Sequence, residues 1–370
     1  MRRITSFLFW VFVVVTVLIS DARGRRPWKG MATQRKRFLI AVTFGLSLQV
    51  AVLTDLQAAL GEKQPALSKL DVVYNNISIG AAPVWVTHEA GFFRKHDLDV
   101  ALTFARGVLA TQAMVIGSFP IGFTSVSSVI NANLAGARLR FVGAVTNKLI
   151  YAVVTARDIT MPSQLKGKRV GIARFGDASE TATRFAAREL GLDPDRDIIM
   201  LQIGNSPDRF TALSTGKIDG MVADPADVVR AKRQGFNVLI DLTTKGIDYH
   251  GNGITMPELF IRDKRETALK FLRGYVEGVH YYKTHPEESV RIVAAHLKTN
   301  DLDMLRQGWK VFTERLIPMK PYSSVKDIQL IIQEMATQNP AAKNAMPERF
   351  IDSSLMEEID RNGFIDRLYR

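Results

Sequence analysis

The sequence predicts an α/β protein of two lobes, joined by two crossover strands and followed by a helical C-terminal part. Three observations carry this. Short apolar runs alternate with amphipathic stretches from about residue 71 to residue 240, the rhythm of parallel strand–helix units. Two extended apolar segments, 149–156 and 251–261, bracket the second half of that series, where a chain would pass between lobes and return. From residue 264 the strand pattern stops and apolar residues recur at helical spacing.

In chain order, the first series reads as strand 71–77, helix 83–95, strand 98–104, helix 108–116, strand 121–123, helix 127–134 and strand 139–145. Pro83 suits the first turn of its helix, because its missing N–H has no partner there. The second series reads as strands 169–173, 198–202, 219–222 and 238–240, with helices 179–190, 207–214 and 226–234 between them. The turn signal Met161-Pro162-Ser163 follows the first crossover. Helices 264–283, 287–297, 301–312 and 325–336 complete the chain, with Pro318-Met319-Lys320-Pro321 forcing a loop before the last. The boundaries drawn are a leader at 1–58, a first lobe at 70–155 plus 253–340, a second lobe at 156–252 and a tail at 341–370.

The 370 residues suffice for two cores. The net charge of +12 is misleading, because residues 1–58 carry nine Lys/Arg against two acids and leave +5 on the rest. No dense basic stripe points to nucleic acid. There is no cysteine, which excludes disulfides, thiolate metal sites and a Cys nucleophile. Glu277-Gly278-Val279-His280 has a metal-ligand spacing but occurs once, so no metal or cofactor is expected.

Two apolar runs open the chain: 7–19 after Arg2-Arg3, and 38–53 after Arg35-Lys36-Arg37, the second ending near Leu56-Gln57-Ala58-Ala59. A basic segment, an apolar segment and small residues make an export signal. The expectation is a cleaved signal with translation starting at Met31; a cut for the first run at Ser20-Asp21-Ala22, or an uncleaved anchor, are the alternatives. Each run is shorter than the ~20 residues a spanning helix needs.

The order of motifs supplies a resemblance. Gly80-Ala81-Ala82-Pro83-Val84-Trp85 is followed by Glu89-Ala90-Gly91-Phe92-Phe93-Arg94-Lys95-His96-Asp97-Leu98-Asp99-Val100. Leu165-Lys166-Gly167-Lys168-Arg169-Val170-Gly171 and Ala212-Leu213-Ser214-Thr215-Gly216-Lys217-Ile218-Asp219-Gly220 come later. Across about residues 70–340 the chain resembles the sulfonate/nitrate/taurine-type solute-binding proteins of ABC importers, which share their fold with thiamine-pyrimidine synthases. The resemblance implies a periplasmic-binding-protein-like fold and a monomeric, exported receptor. It would deliver a small solute, of sulfonate, nitrate or taurine type or pyrimidine- or amine-like, to a membrane permease. An enzyme of the pyrimidine-synthase type is the rival, and the missing thiols count against it; a sensing lobe without transport is a third reading.

In such an architecture ligand contacts come from loops at the carboxyl ends of strands. The first lobe offers Ser78, Ala82 and Trp85, then Thr124 and Ser125; the hydroxyls could contact ligand or cap a helix, and Trp85 could stack on ligand or belong to the core. The second offers Phe175, Gly176, Asp177 and Ser179, where a strand feeds a helix and backbone N–H groups come free. The resembling sulfonate binders place Gly and Ser or Thr here. Asp177 would repel an anion and favours a ligand with a donor group, or it is a cap facing away. Asp224 before Pro225, and Asn252 beside Tyr249 and His250 on the return crossover, complete the expected set.

Overall fold

A computed structural model describes residues 67–337 and 339–370. The expected leader and its alternative start at Met31 lie outside the described residues. The strands run β1 (Ser68–Tyr74), β2 (Leu98–Phe104), β3 (Ile121–Ser125), β4 (Leu139–Ala144), β5 (Ala152–Thr155), β6 (Lys168–Ile172), β7 (Ile198–Gln202), β8 (Gly220–Ala223), β9 (Asn237–Asp241) and β10 (Asn252–Pro257). They sort into two five-stranded sheets, ordered β2-β1-β3-β10-β4 and β7-β6-β8-β5-β9.

The two sheets share one plan. In the first, β1 is parallel to β2 and β3, while β10 runs antiparallel to β3 and β4. In the second, β6 is parallel to β7 and β8, while β5 runs antiparallel to β8 and β9. The odd strand of each sheet is the one that has just arrived from the other. The connections β4–β5 and β9–β10 therefore cross between the units. β5 lies wholly in the second sheet, so residues 152–155, drawn above as the end of the first lobe, pair with β8 and β9 instead.

The helices of the first unit are α1 (Ala82–Glu89), α2 (Phe92–Lys95), α3 (Val108–Val115) and α4 (Val126–Leu134); those of the second are α5 (Ala178–Glu189), α6 (Ser206–Ser214) and α7 (Pro225–Arg233). The single helix expected over 83–95 is two, because Gly91 at φ 79° turns the chain between them. The C-terminal part holds α8 (Glu258–Asp263), α9 (Arg265–Thr284), α10 (Pro286–Leu297), α11 (Leu302–Val311), α12 (Val325–Met335), α13 (Ser354–Arg361) and α14 (Phe364–Leu368).

α9 shows why these helices form where they do. Leu269, Leu272, Tyr275, Val276 and Val279 fall on one face at three- and four-residue spacing and are buried. Burying each such side chain contributes roughly 1.5–3 kcal/mol. Its Gly278 faces α1 so closely that an added Cβ would sit 2.0 Å from Thr87 Oγ1. Residues 341–370, expected as a tail, are part of this core: Leu355, Met356, Ile359 and Ile365 cluster with Leu272 and Tyr275. Their amphipathic spacing is short and broken by Gly363 at φ 66°, which hid it in the sequence.

Candidate functional site

The carboxyl ends of β1, β6, β7 and β8 converge between the sheets on a cavity of about 40 Å³. The first unit supplies a chain of amides. Asn75 Nδ2 donates to Asn252 Oδ1 (3.1 Å), Asn76 Nδ2 donates to Asn75 Oδ1 (2.9 Å), and Ser78 Oγ donates to Asn76 Oδ1 (3.1 Å). Ser78 Oγ in turn accepts from Gly80 N at 3.2 Å. At the cavity Ile77 N donates across the units to Asn205 Oδ1 (3.4 Å), and elsewhere Ser127 Oγ meets Thr181 Oγ1 (2.8 Å) and Arg233 Nη1 donates to Asp301 (2.9 Å) across them.

The second unit supplies three helix starts. Asp177 caps α5: its Oδ1 accepts from both Ser179 N (2.7 Å) and Ser179 Oγ (2.6 Å). Asn205 precedes α6, which carries Arg209. That guanidinium is buried, with Nε on Val222 O (3.1 Å) and Nη1 on Gly204 O (2.6 Å). Asp224 caps α7 through Asp227 N (3.2 Å) and is 2% exposed. Its Oδ2 is buried without a hydrogen-bond partner.

Burial raises the pKa of Asp177 and of Asp224 above the usual carboxylate range; the Ser179 bonds oppose this for Asp177, helix-start N–H groups and the Ser78 hydroxyl for Asp224, and the Arg209 charge for both. Asp227 is pushed up to about 7, first by burial and then by the charge of Asp224. Three buried carboxylates thus share one buried cation.

Of the residues expected from sequence, Ser78, Asp177, Ser179, Asp224 and Asn252 line the cavity. Ala82 and Trp85 do not: both are fully buried in the first unit's core, with Trp85 stacked on His296 (ring centres 4.6 Å apart). Thr124 is spent on Thr255 (2.8 Å), and Ser125 caps α4 through Ser128 N (3.3 Å). Tyr249 and His250 are buried and do not line the cavity, and burial lowers His250 to about 3.

Phe175 and Gly176 face a separate hollow beside Thr181 and Glu334. Their N–H groups, expected to cradle a ligand, are taken by Gln202 Oε1 (3.1 Å) and Glu180 Oε2 (2.6 Å). An anion cradle at this loop would have to displace the chain's own acceptors.

Sequence reasoning missed Asn75, Asn76, Tyr151, Asn205, Ser206 and Arg209 on the cavity wall. Asn205-Ser206-Pro207 carried a signal, a cap followed by Pro at a helix start. A second, larger space of about 410 Å³ adjoins the cavity and shares Ser78 and Asp224 with it.

Two similarly wound α/β units with a polar cavity between them, reached by two crossovers, define a periplasmic-binding-protein fold. The chain belongs to the NMT1/THI5 like family, whose model matches residues 78–289. It is similar to the riboflavin-binding protein RibY of Chloroflexus aurantiacus, 23% identical over 255 residues, 66% of this chain and 72% of that protein. Among solved structures, a Bordetella bronchiseptica protein superimposes with TM-score 0.70 at 18% identity, covering 80% of this chain and 98% of that one. The periplasmic aliphatic sulphonate binding protein SsuA of Escherichia coli superimposes with TM-score 0.60 at 19% identity, covering 77% and 92%.

Proposed function

We propose that this protein is the exported solute-binding receptor of an ABC importer. The observation that carries the reading is the cavity itself, walled by side chains of both units and built on helix starts. A solute held there bridges the lobes and favours their closed arrangement, and only this differential affinity can drive closure. The closed form then presents both lobes to a membrane permease. Among the described residues no helix is long and apolar enough to cross a membrane; the export signal is expected in residues 1–58, and the receptor acts as a monomer in the periplasm. RibY and SsuA, named for riboflavin and aliphatic sulphonate, support capture as the activity.

Thiol-dependent pyrimidine-synthase chemistry has no residue to run on, since the chain has no cysteine. Native mass spectrometry of the protein recovered from its own cells tests the reading. A retained small molecule, released intact on denaturation, is expected; a molecule converted to product during incubation would overturn capture.

A further inference from the structure

Resting on the receptor reading, we propose that the 410 Å³ chamber is part of the ligand site and that its occupant is an organic cation, an amine, amidine or guanidine set against Asp224.

Volume is the first ground. The inner cavity of about 40 Å³ holds little more than water, whereas solute sites run to ~300–1,000 Å³. The chamber falls in that range and opens on the same two residues, Ser78 and Asp224.

The second ground is an unfilled acceptor. Asp224 Oδ1 takes the Asp227 N–H, but Oδ2 is buried with no donor. The Ser78 hydroxyl also approaches the Asp224 carboxyl, but a hydroxyl carries one proton and that of Ser78 is aligned on Asn76 Oδ1 at 3.1 Å. A buried carboxylate oxygen without a partner is costly, and a charged N–H donor forms the strongest bond available to it.

Charge is the third. Asp224 and Asp227 form the floor, both at most 4% exposed, with Asp177 behind them on the inner cavity. The cations facing them are Arg209, whose Nε and Nη1 are committed to backbone carbonyls, and Arg230, 3.8 Å from Asp227. At the mouth Asp301 is held by Arg233, and Lys298 is exposed to screening solvent. A floor richer in buried carboxylate than in buried cation disfavours sulfonate or nitrate. Ile79, Leu297 and Met304 give apolar cover for the body of the ligand.

The test is a thermal-melt titration of the mature full-length protein with benzamidine and, separately, benzenesulfonate, two probes with the same ring and opposite charge. Benzamidine is expected to raise the midpoint and benzenesulfonate to leave it unchanged. Asp224→Asn, which retains a helix-capping side chain, should weaken benzamidine at least ~10-fold. Thr299→Trp, on the partly exposed chamber wall, should abolish the benzamidine response while leaving the ligand-free melt in place. A response to benzenesulfonate alone, no response to benzamidine, or a benzamidine response untouched by both variants would overturn the proposal. The solute retained by the native protein separates this from the receptor reading: an anionic retained solute keeps the receptor and removes the cation site, whereas no retained solute removes both.

Discussion

Gly308, in the middle of α11, lies where α7 of the second unit packs against the C-terminal helices. A Cβ added there would meet Ile79 Cδ1 at 2.8 Å, Ala226 Cβ at 3.1 Å and Ala226 Cα at 3.2 Å. The isoleucine tip can turn aside, but a Cα and its Cβ cannot, so Gly308→Ala pushes α7 and α11 apart. Overpacking of this kind costs about 1–3 kcal/mol. In a clamp the two helices meet only when the lobes are together, so the cost falls on the closed form alone. The helix itself gains roughly 0.5–1 kcal/mol from Gly→Ala in both forms. Affinity for the solute released from the native protein is therefore expected to fall ~5- to 150-fold. The urea midpoint of the ligand-free protein stays level or rises slightly. Calorimetric titration beside urea unfolding measures both. Unchanged affinity with lowered ligand-free stability would refute the reasoning, because it would mean that α7 and α11 never separate.

Three further outcomes follow from particular side chains. Asp227 holds its proton more tightly folded than unfolded, so its share of stability is full below the ordinary carboxylate range and is lost as pH rises towards about 7; with Asp224, Arg209 and Arg230 facing it, Asp227→Asn should flatten the fall in urea midpoint between pH 5 and pH 8, an effect of at most ~3 kcal/mol, and parallel profiles would count against it. Asp177→Asn keeps the α5 cap but loses the charge, so a cationic solute should bind at least ~10-fold more weakly with folding spared; equal affinity would remove Asp177 from the site. Trp85→Ala should cost ~3–5 kcal/mol of stability and leave solute affinity intact; lost binding in a stable variant would return Trp85 to the site.

Much of the fold was legible because its periods are clean. The strand at 198–202 was read to the residue, and most helices to within two. The site was legible where one residue both caps a helix and follows a strand, as Asp177 and Asp224 do. It was lost where the strand was placed late: reading β1 to residue 77 put Asn75 and Asn76 inside a strand and hid the amide chain. Arg209 gave no signal, since a long cation in an amphipathic helix normally faces water and only the fold turns it towards two backbone carbonyls. Phe175 and Gly176 misled for a different reason. Their loop has the composition of a ligand cradle, but Gln202 and Glu180, distant or downstream in sequence, occupy its donors.

The central claim is that two lobes close on a captured solute, and the distance between them tests it most directly. The chain has no cysteine, so Gln112→Cys on α3 and Thr211→Cys on α6 give two unique, exposed labelling sites. These helices begin on facing sides of the cleft, where Arg106 and Asp208 approach to 3.7 Å. Pulsed electron spin resonance should show a longer distance in the solute-free protein, and a shorter one after adding back the small-molecule fraction released by denaturing the native protein. One unchanging distance under both conditions would contradict the account.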